Sequence, residues 1–234
     1  MILMDEVKRA FGEDGRGAVM RFLIDRELAG CGDDGERWSV LFEKCDGWVR
    51  DYLLWEDDTY IRGIEGWNFF IRVCCCRLPE EPADWTAYIY RMSLLTILRY
   101  DYYADEEGRN RVIENARNSS RWKDEYSCGF DVDYILESGY AELTREEWLE
   151  EINGFRRASW DKWHGKENEQ TNNPKYIEEM EINYPKFAAI TERLERETGD
   201  CQVARMNRQG GDETVWYFIK DQNSFYVLNI FDGW

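Results

Sequence analysis

Three consecutive cysteines, Cys74-Cys75-Cys76, put three metal-ligating thiols side by side in the sequence. A tetrahedral ion needs thiolates that converge. The segment 58–78 carries Tyr60, Ile64, Trp67, Ile71, Cys74 and Leu78 at helical spacing and reads as a helix, although Phe69-Phe70-Ile71-Arg72-Val73 also suits a strand. On a helix, consecutive side chains point about 100° apart, so three adjacent thiols do not meet on one ion. No CxxC pair occurs anywhere in the sequence. Phe70, Ile71, Val73 and Leu78 surround the triplet, and the thiols are expected to be small apolar packing groups.

His164 is the only histidine, in Trp160-Asp161-Lys162-Trp163-His164-Gly165-Lys166. A histidine can act as a general base, but no nucleophile is visible beside it. There is no G-x-S-x-G elbow, and cysteines in apolar surroundings have raised rather than lowered pKa values. Placed at a helix C-terminus, a cationic imidazole simply complements the helix dipole. No catalytic residue is assigned.

Carboxylates are the remaining reactive groups. Glu146-Glu147-Trp148-Leu149-Glu150 resembles the E-E-x-x-E metal helix of all-α nucleotide pyrophosphohydrolases. Stepping about 100° per residue from Trp148 gathers Ile152, Phe155 and Trp163 in one sector and sets Glu146 and Glu150 nearly opposite, facing water. The companion acidic motif is missing at the right distance, since Glu197-Thr-Gly-Asp200 lies too far on and beside a helix end. Asp101-Tyr-Tyr-Ala-Asp105-Glu106-Glu107 looks like an aspartate-rich Mg²⁺ site, yet Asp101 and Asp105 project away from the Trp85, Met92, Leu95 stripe, and hard cations need oxygens that converge in a cleft. There is no Walker A sequence. Gly12, Gly15 and Gly17 have no strand before them, so a phosphate-cradling loop is not indicated. Neither a metal nor a cofactor is expected.

Charge says more. The chain holds 30 basic and 48 acidic residues, a formal net charge of −18. Residues 31–60 contain nine acids and three bases, and 101–150 contain fourteen acids and six bases. Such a surface repels nucleic-acid phosphates and anionic membranes, so the expected partner is a basic protein. The acids assigned to that partner are Glu56, Asp57, Asp58, Asp101, Asp105, Glu106 and Glu107.

These groups must be carried by a fold, and 43% hydrophobic content with 15% aromatic supplies a core. Trp38, Leu41, Phe42, Cys45, Trp48, Val49 and Tyr52 make one apolar stripe of a helix over 34–56. Helices are also expected over about 15–29, stopping near Gly30 and Gly32; over 85–104, capped by Asp84; and over 106–122. Thr144-Arg-Glu-Glu147 is a capping box for a helix to about 163, followed by helices near 175–182 and 186–198, the last ending at Gly199. Beyond it, 202–207, 214–220 and 225–231 read as strands joined by turns at 209–212 and 221–224.

The fold class expected is thus α+β, a mainly helical domain of about six to eight helices followed by a C-terminal three-stranded antiparallel β-meander. The whole, 1–234, is expected to be a single domain, divisible into 1–164 and 175–234 with polar 165–174 as loop or linker. Acids at positions five and six, the lack of roughly 18 uninterrupted apolar residues and seven irregularly spaced cysteines point to the cytoplasm. The leading expectation for function is a non-enzymatic acidic protein that inhibits or neutralises a basic protein partner, of the immunity, antitoxin or anti-defence inhibitor type, by mimicry of nucleic-acid charge among other means. The alternatives are a metal-dependent hydrolase whose acidic site forms only in three dimensions, and a structural subunit of a complex.

Overall fold

A computed structural model describes residues 2–11, 27–62, 68–80, 84–100, 105–118, 139–164, 174–206 and 214–233. The chain divides into two compact units, 1–54 with 76–139, and 55–75 with 140–234. The dividing lines cross the chain three times, so neither unit is a continuous stretch.

In the first unit, α1 spans Ile2–Phe11, α2 Asp34–Tyr52, α3 Trp85–Tyr100 and α4 Glu106–Asn118. Leu3, Met4, Val7 and Ala10 are buried, an i, i+1, i+4, i+7 stripe that makes α1 an amphipathic helix. Most of the helix expected over 15–29 lies outside the described residues. Gly30 takes φ +88°, a left-handed backbone that glycine tolerates, and Cys31 N–H donates to the Leu28 carbonyl to close the turn there. Asp33 caps α2, its carboxylate accepting from Glu36 N–H at 2.8 Å, while the Glu36 carboxylate accepts from Gly32 N–H. Trp38, Leu41, Phe42, Cys45 and Trp48 form its buried face.

Helix α3 is buried nearly all round, through Ala87, Tyr88, Ile89, Tyr90, Met92, Leu94, Leu95 and Leu98. The hydroxyls of its buried Ser93 and Thr96 are satisfied within the helix: Ser93 donates to the Ile89 carbonyl at 2.8 Å and Thr96 to that of Met92 at 2.9 Å. As expected, Asp84 is its N-cap, accepting from Ala87 N–H at 3.1 Å. Glu27 ties the unit together. Burial alone would raise its pKa, but hydrogen bonds from Lys44 and Arg91 outweigh that and hold it below the ordinary glutamate value.

The second unit holds nearly all of a six-stranded antiparallel sheet, in the order β1-β2-β6-β5-β4-β3. Its strands are β1 Leu53–Arg62, β2 Asn68–Arg77, β3 Tyr140–Leu143, β4 Gln202–Met206, β5 Thr214–Lys220 and β6 Ser224–Gly233. The expected three-stranded C-terminal meander is therefore corrected. The three C-terminal strands are part of a sheet extended by β3 at one margin and by β2 and β1 at the other. Two readings hid β1 and β2. The helix over 34–56 ends at Tyr52 and passes directly into β1 with no breaking residue, and 58–78 is mostly strand. There the coincidental helical spacing hid a run of aromatic and β-branched residues that favours a pleated, half-buried surface.

Helices α5, Arg145–His164, and α6, Pro174–Glu197, supply the other layer of this unit. The capping box forms as expected: Thr144 N–H donates to Glu147 at 2.8 Å, and Glu147 N–H donates to the Thr144 hydroxyl at 3.2 Å. Helix α6 is one continuous helix with Pro185 inside it, where two helices were expected. Proline costs a helix one hydrogen bond and a clash, but Phe187, Ile190 and Leu194 are fully buried beyond it, and that packing carries the helix through. Its end is also not the expected glycine cap, since Gly199 lacks a left-handed φ. Instead, Arg145 donates to the carbonyls of Thr198 at 2.9 Å and Glu195 at 2.7 Å. The polar stretch 165–173 and the turn 209–212 lie outside the described residues.

The core of this unit lies between these helices and one face of the sheet. Trp148, Ile152, Phe187, Ile190 and Leu194 meet Phe69, Ile71, Val73 and Cys75 of β2, with Tyr217 and Ile219 of β5 and Leu228 and Ile230 of β6. Phe69 and Phe187 meet edge to face at 4.8 Å. All three adjacent cysteines are buried, and in a strand rather than a helix Cys75 points to the face opposite Cys74 and Cys76. No helix among the described residues is long and apolar enough to cross a membrane.

Replacing Trp148 with alanine should remove the largest indole from this core. Urea denaturation is expected to show a loss of about 3–5 kcal/mol, against less than about 0.5 kcal/mol for Glu150→Ala on the exposed face of the same helix.

Candidate interaction surface

The acids singled out in the sequence fall into both units. Asp101 lies outside the described residues. Asp105, Glu106 and Glu107 stand exposed at the start of α4. The Asp105 carboxylate accepts from Gly108 N–H at 2.6 Å and so caps the helix. Glu107 pairs with Arg111 at 2.6 Å, and Glu106 sits in the first turn, where negative charge suits the helix dipole. Local helix physics accounts for this group.

Glu56, Asp57 and Asp58 are different, because they lie in the middle of the ten-residue strand β1. Aspartate is among the residues strands disfavour, so two in succession run against local propensity. Alternation puts Glu56 and Asp58 on one side with Tyr60, and Asp57 on the other with Trp55 and Thr59. The Trp55 side is anchored to α6: the Arg193 guanidinium lies 3.7 Å from the Trp55 ring centre, and buried Thr59 donates to the Asn183 carbonyl at 3.4 Å. β1 is therefore held firmly at the margin of the sheet, with Asp57 and Asp58 exposed and Glu56 half-buried.

The Asp58 carboxyl is partly desolvated by surrounding protein although the residue as a whole is exposed. That desolvation is the main cause of a pKa above the ordinary aspartate value of 3.8. Arg72 and Lys186 pull it down, and Asp57 and Glu56 push it up. Desolvation rather than charge repulsion therefore holds the Asp58 carboxyl above its ordinary value, and Arg72 attracts it more strongly than either neighbouring acid repels it. Tyr60, at 50% exposure, and Ile182 of α6, at 54%, are next in sequence to the hydrogen-bonded Thr59 and Asn183. Tyr60, Arg72, Ile182 and Lys186 were missed in the sequence because their neighbourhood depends on β1 and β2 being strands.

A concavity of about 590 Å³, open to solvent, is lined by Thr144, Arg145, Glu146, Gly199, Asp200 and Cys201. It brings Glu146 beside Asp200, two acids that the sequence separates by more than fifty positions. Arg145 is already engaged by the end of α6. Burial pushes the Cys201 thiol up to about 11, Arg145 lowers it, and Asp221, Asp200 and Glu146 raise it, so the thiol stays protonated at neutral pH. Burial likewise pushes Cys75 up to about 11. No three His, Cys, Asp or Glu side chains are placed to share an ion among the described residues. His164 is the last residue of α5, and its side chain lies outside the described ones.

The raised pKa of Asp58 sets a sign. Between 3.8 and its higher folded value, the folded chain binds more protons than the unfolded one, so stability falls as pH rises through that window. Asp58→Asn should therefore raise the melting temperature at pH 7, and the gain should vanish below pH 3.8. A lower melting temperature at pH 7 would show that Asp58 is ionised for the benefit of the fold.

No family model matches this chain, and no curated protein or solved structure matches it either.

Proposed function

We propose that this chain is an acidic, non-enzymatic binding protein that inhibits or neutralises a basic protein, of the immunity, antitoxin or anti-defence inhibitor type. The observation that carries this reading is the acidic centre of β1, where Glu56, Asp57 and Asp58 sit against strand propensity and Asp58 ionises against its surroundings. A partly desolvated carboxylate such as that of Asp58 gains more from an arriving cation than a freely solvated one does, because less water screens the pair. The net charge of −18 would draw a basic partner in from a distance, and the acids at the start of α4 add to that field.

An acidic face that attracts a nucleic-acid-binding protein competes with its nucleic acid, so charge mimicry is one mechanism within this class. A cytoplasmic setting belongs to the same proposal, and the reduced thiols of Cys31, Cys45, Cys74, Cys75, Cys76 and Cys201 are in keeping with a reducing compartment. A hydrolase would find less to use. The open hollow at the start of α5 offers two carboxylates and a protonated thiol, and Arg145 there is occupied by backbone carbonyls.

Capture on the immobilised chain from native lysate should retain one basic protein at low salt and release it as salt rises past the point where exposed charges are screened. Neutralising the strand with E56Q/D57N/D58N should slow association about tenfold and flatten its salt dependence, and D105N/E106Q/E107Q should do so less. Unchanged association in the strand variant would sink the electrostatic reading.

A further inference from the structure

We propose that the outer margin of β1 accepts an extended, Lys- or Arg-rich segment of a partner protein as an added strand, its cationic side chains set against Glu56, Asp57 and Asp58. This rests on the acidic binding reading above and names the surface and the partner's conformation.

Among the described residues β1 and β3 are the two margins of the sheet, and they are unequal. β3 is four residues long, too short to template much pairing, whereas β1 is ten and contains no proline. Long edge strands commonly guard themselves with lysine, proline or a bulge. β1 carries three carboxylates instead. That choice selects the occupant. Two copies of this chain pairing along β1 would set one carboxylate triplet against another, so self-association is opposed. A basic strand meets the opposite condition.

Apolar surface coincides with the acids. Tyr60, on the face of Glu56 and Asp58, is among the exposed large hydrophobic side chains of the described residues, and so is Ile182 of α6, next in sequence to the Asn183 that bonds Thr59. An incoming strand that alternates cationic and apolar side chains would set its cations on the face of Glu56 and Asp58 and its apolar side chains on the other face, the side of Trp55 and α6. Main-chain hydrogen bonds to β1 would supply affinity, and the acids would supply selection, as in strand addition generally. The anchoring of Trp55 and Thr59 keeps the template rigid before binding, which lowers the ordering cost of association.

The test uses three synthetic peptides titrated into the full chain at low salt and followed by backbone amide NMR. They are (Lys-Val)5, the same peptide N-methylated at every residue, and (Glu-Val)5. N-methylation keeps the charge and removes the donors that a β ladder requires. (Lys-Val)5 is expected to bind at least about tenfold more tightly than its methylated form, to slow hydrogen exchange of β1 amides, and to lose about tenfold in affinity to E56Q/D57N/D58N. Equal binding of both lysine peptides would overturn strand addition while leaving the acidic binding reading intact. Failure of both lysine peptides to perturb β1 would overturn this margin as the surface. If (Glu-Val)5 bound as well as (Lys-Val)5, the charge reading itself would fall, and this inference with it.

Discussion

The second unit depends on the burial of Trp148 and Phe187 against the face of the sheet formed by Phe69, Ile71 and Val73. Those contacts lock α5 and α6 onto the strands, and everything at the margin follows from where α6 comes to lie. Its N-terminal half reaches β1 through the Asn183 carbonyl, its C-terminal half through Arg193 over Trp55. Arg145 holds the far end by filling the orphan carbonyls of the last turn. A seam of polar groups, Glu151 with Arg205 and with the Tyr217 hydroxyl, then fixes α5 over β4 and β5. The edge strand is thus a stiff ledge, and its acids are presented in fixed geometry.

Charge is distributed evenly although it is concentrated along the chain. The first unit holds 25 acids and 16 bases, the second 23 acids and 14 bases, so each carries −9. Self-repulsion of that size opposes compaction and association alike. The fold meets it with local pairing where it can, as in Asp46 with Arg109, Glu27 with Lys44 and Arg91, and Glu107 with Arg111. The exposed pairs among these, Asp46 with Arg109 and Glu107 with Arg111, contribute little to stability. The buried apolar core must therefore carry the fold, and surface carboxylates remain open to a role in recognition.

Helix signals were legible wherever a cap and a stripe coincided. Asp84, the Thr144–Glu147 box and the Trp38-to-Trp48 face all appear where the sequence put them. The Asp221–Ser224 turn also forms, Asp221 accepting from both Asn223 and Ser224 N–H. Strands β1 and β2 were not legible, because Tyr60, Ile71 and Cys74 happen to fit a period of 3.6 and because a helix runs into β1 without punctuation. Tertiary packing overrode local rules again at Pro185. At the site, the acids could be named from composition alone. Their arrangement on a strand margin could not, since it follows from a sheet order that pairs β2 with β6 from the other end of the chain.

That arrangement changes the weight each acidic cluster carries as evidence. At the start of α4, Asp105 and Glu107 have jobs that any helix would give them, so their presence says little about a partner. In β1 the local rule points the other way: a strand gains nothing from Asp57-Asp58, and Asp58 is harder to ionise than a free aspartate. Residues that contradict their own secondary structure need a reason outside it, and such contradictions concentrate where a protein meets something else. Protection of the edge against self-pairing is one such reason, and it requires the same negative charge that attracts a basic strand. One set of carboxylates can serve both ends, because the field that turns away a second copy is the field that steers a cationic segment in.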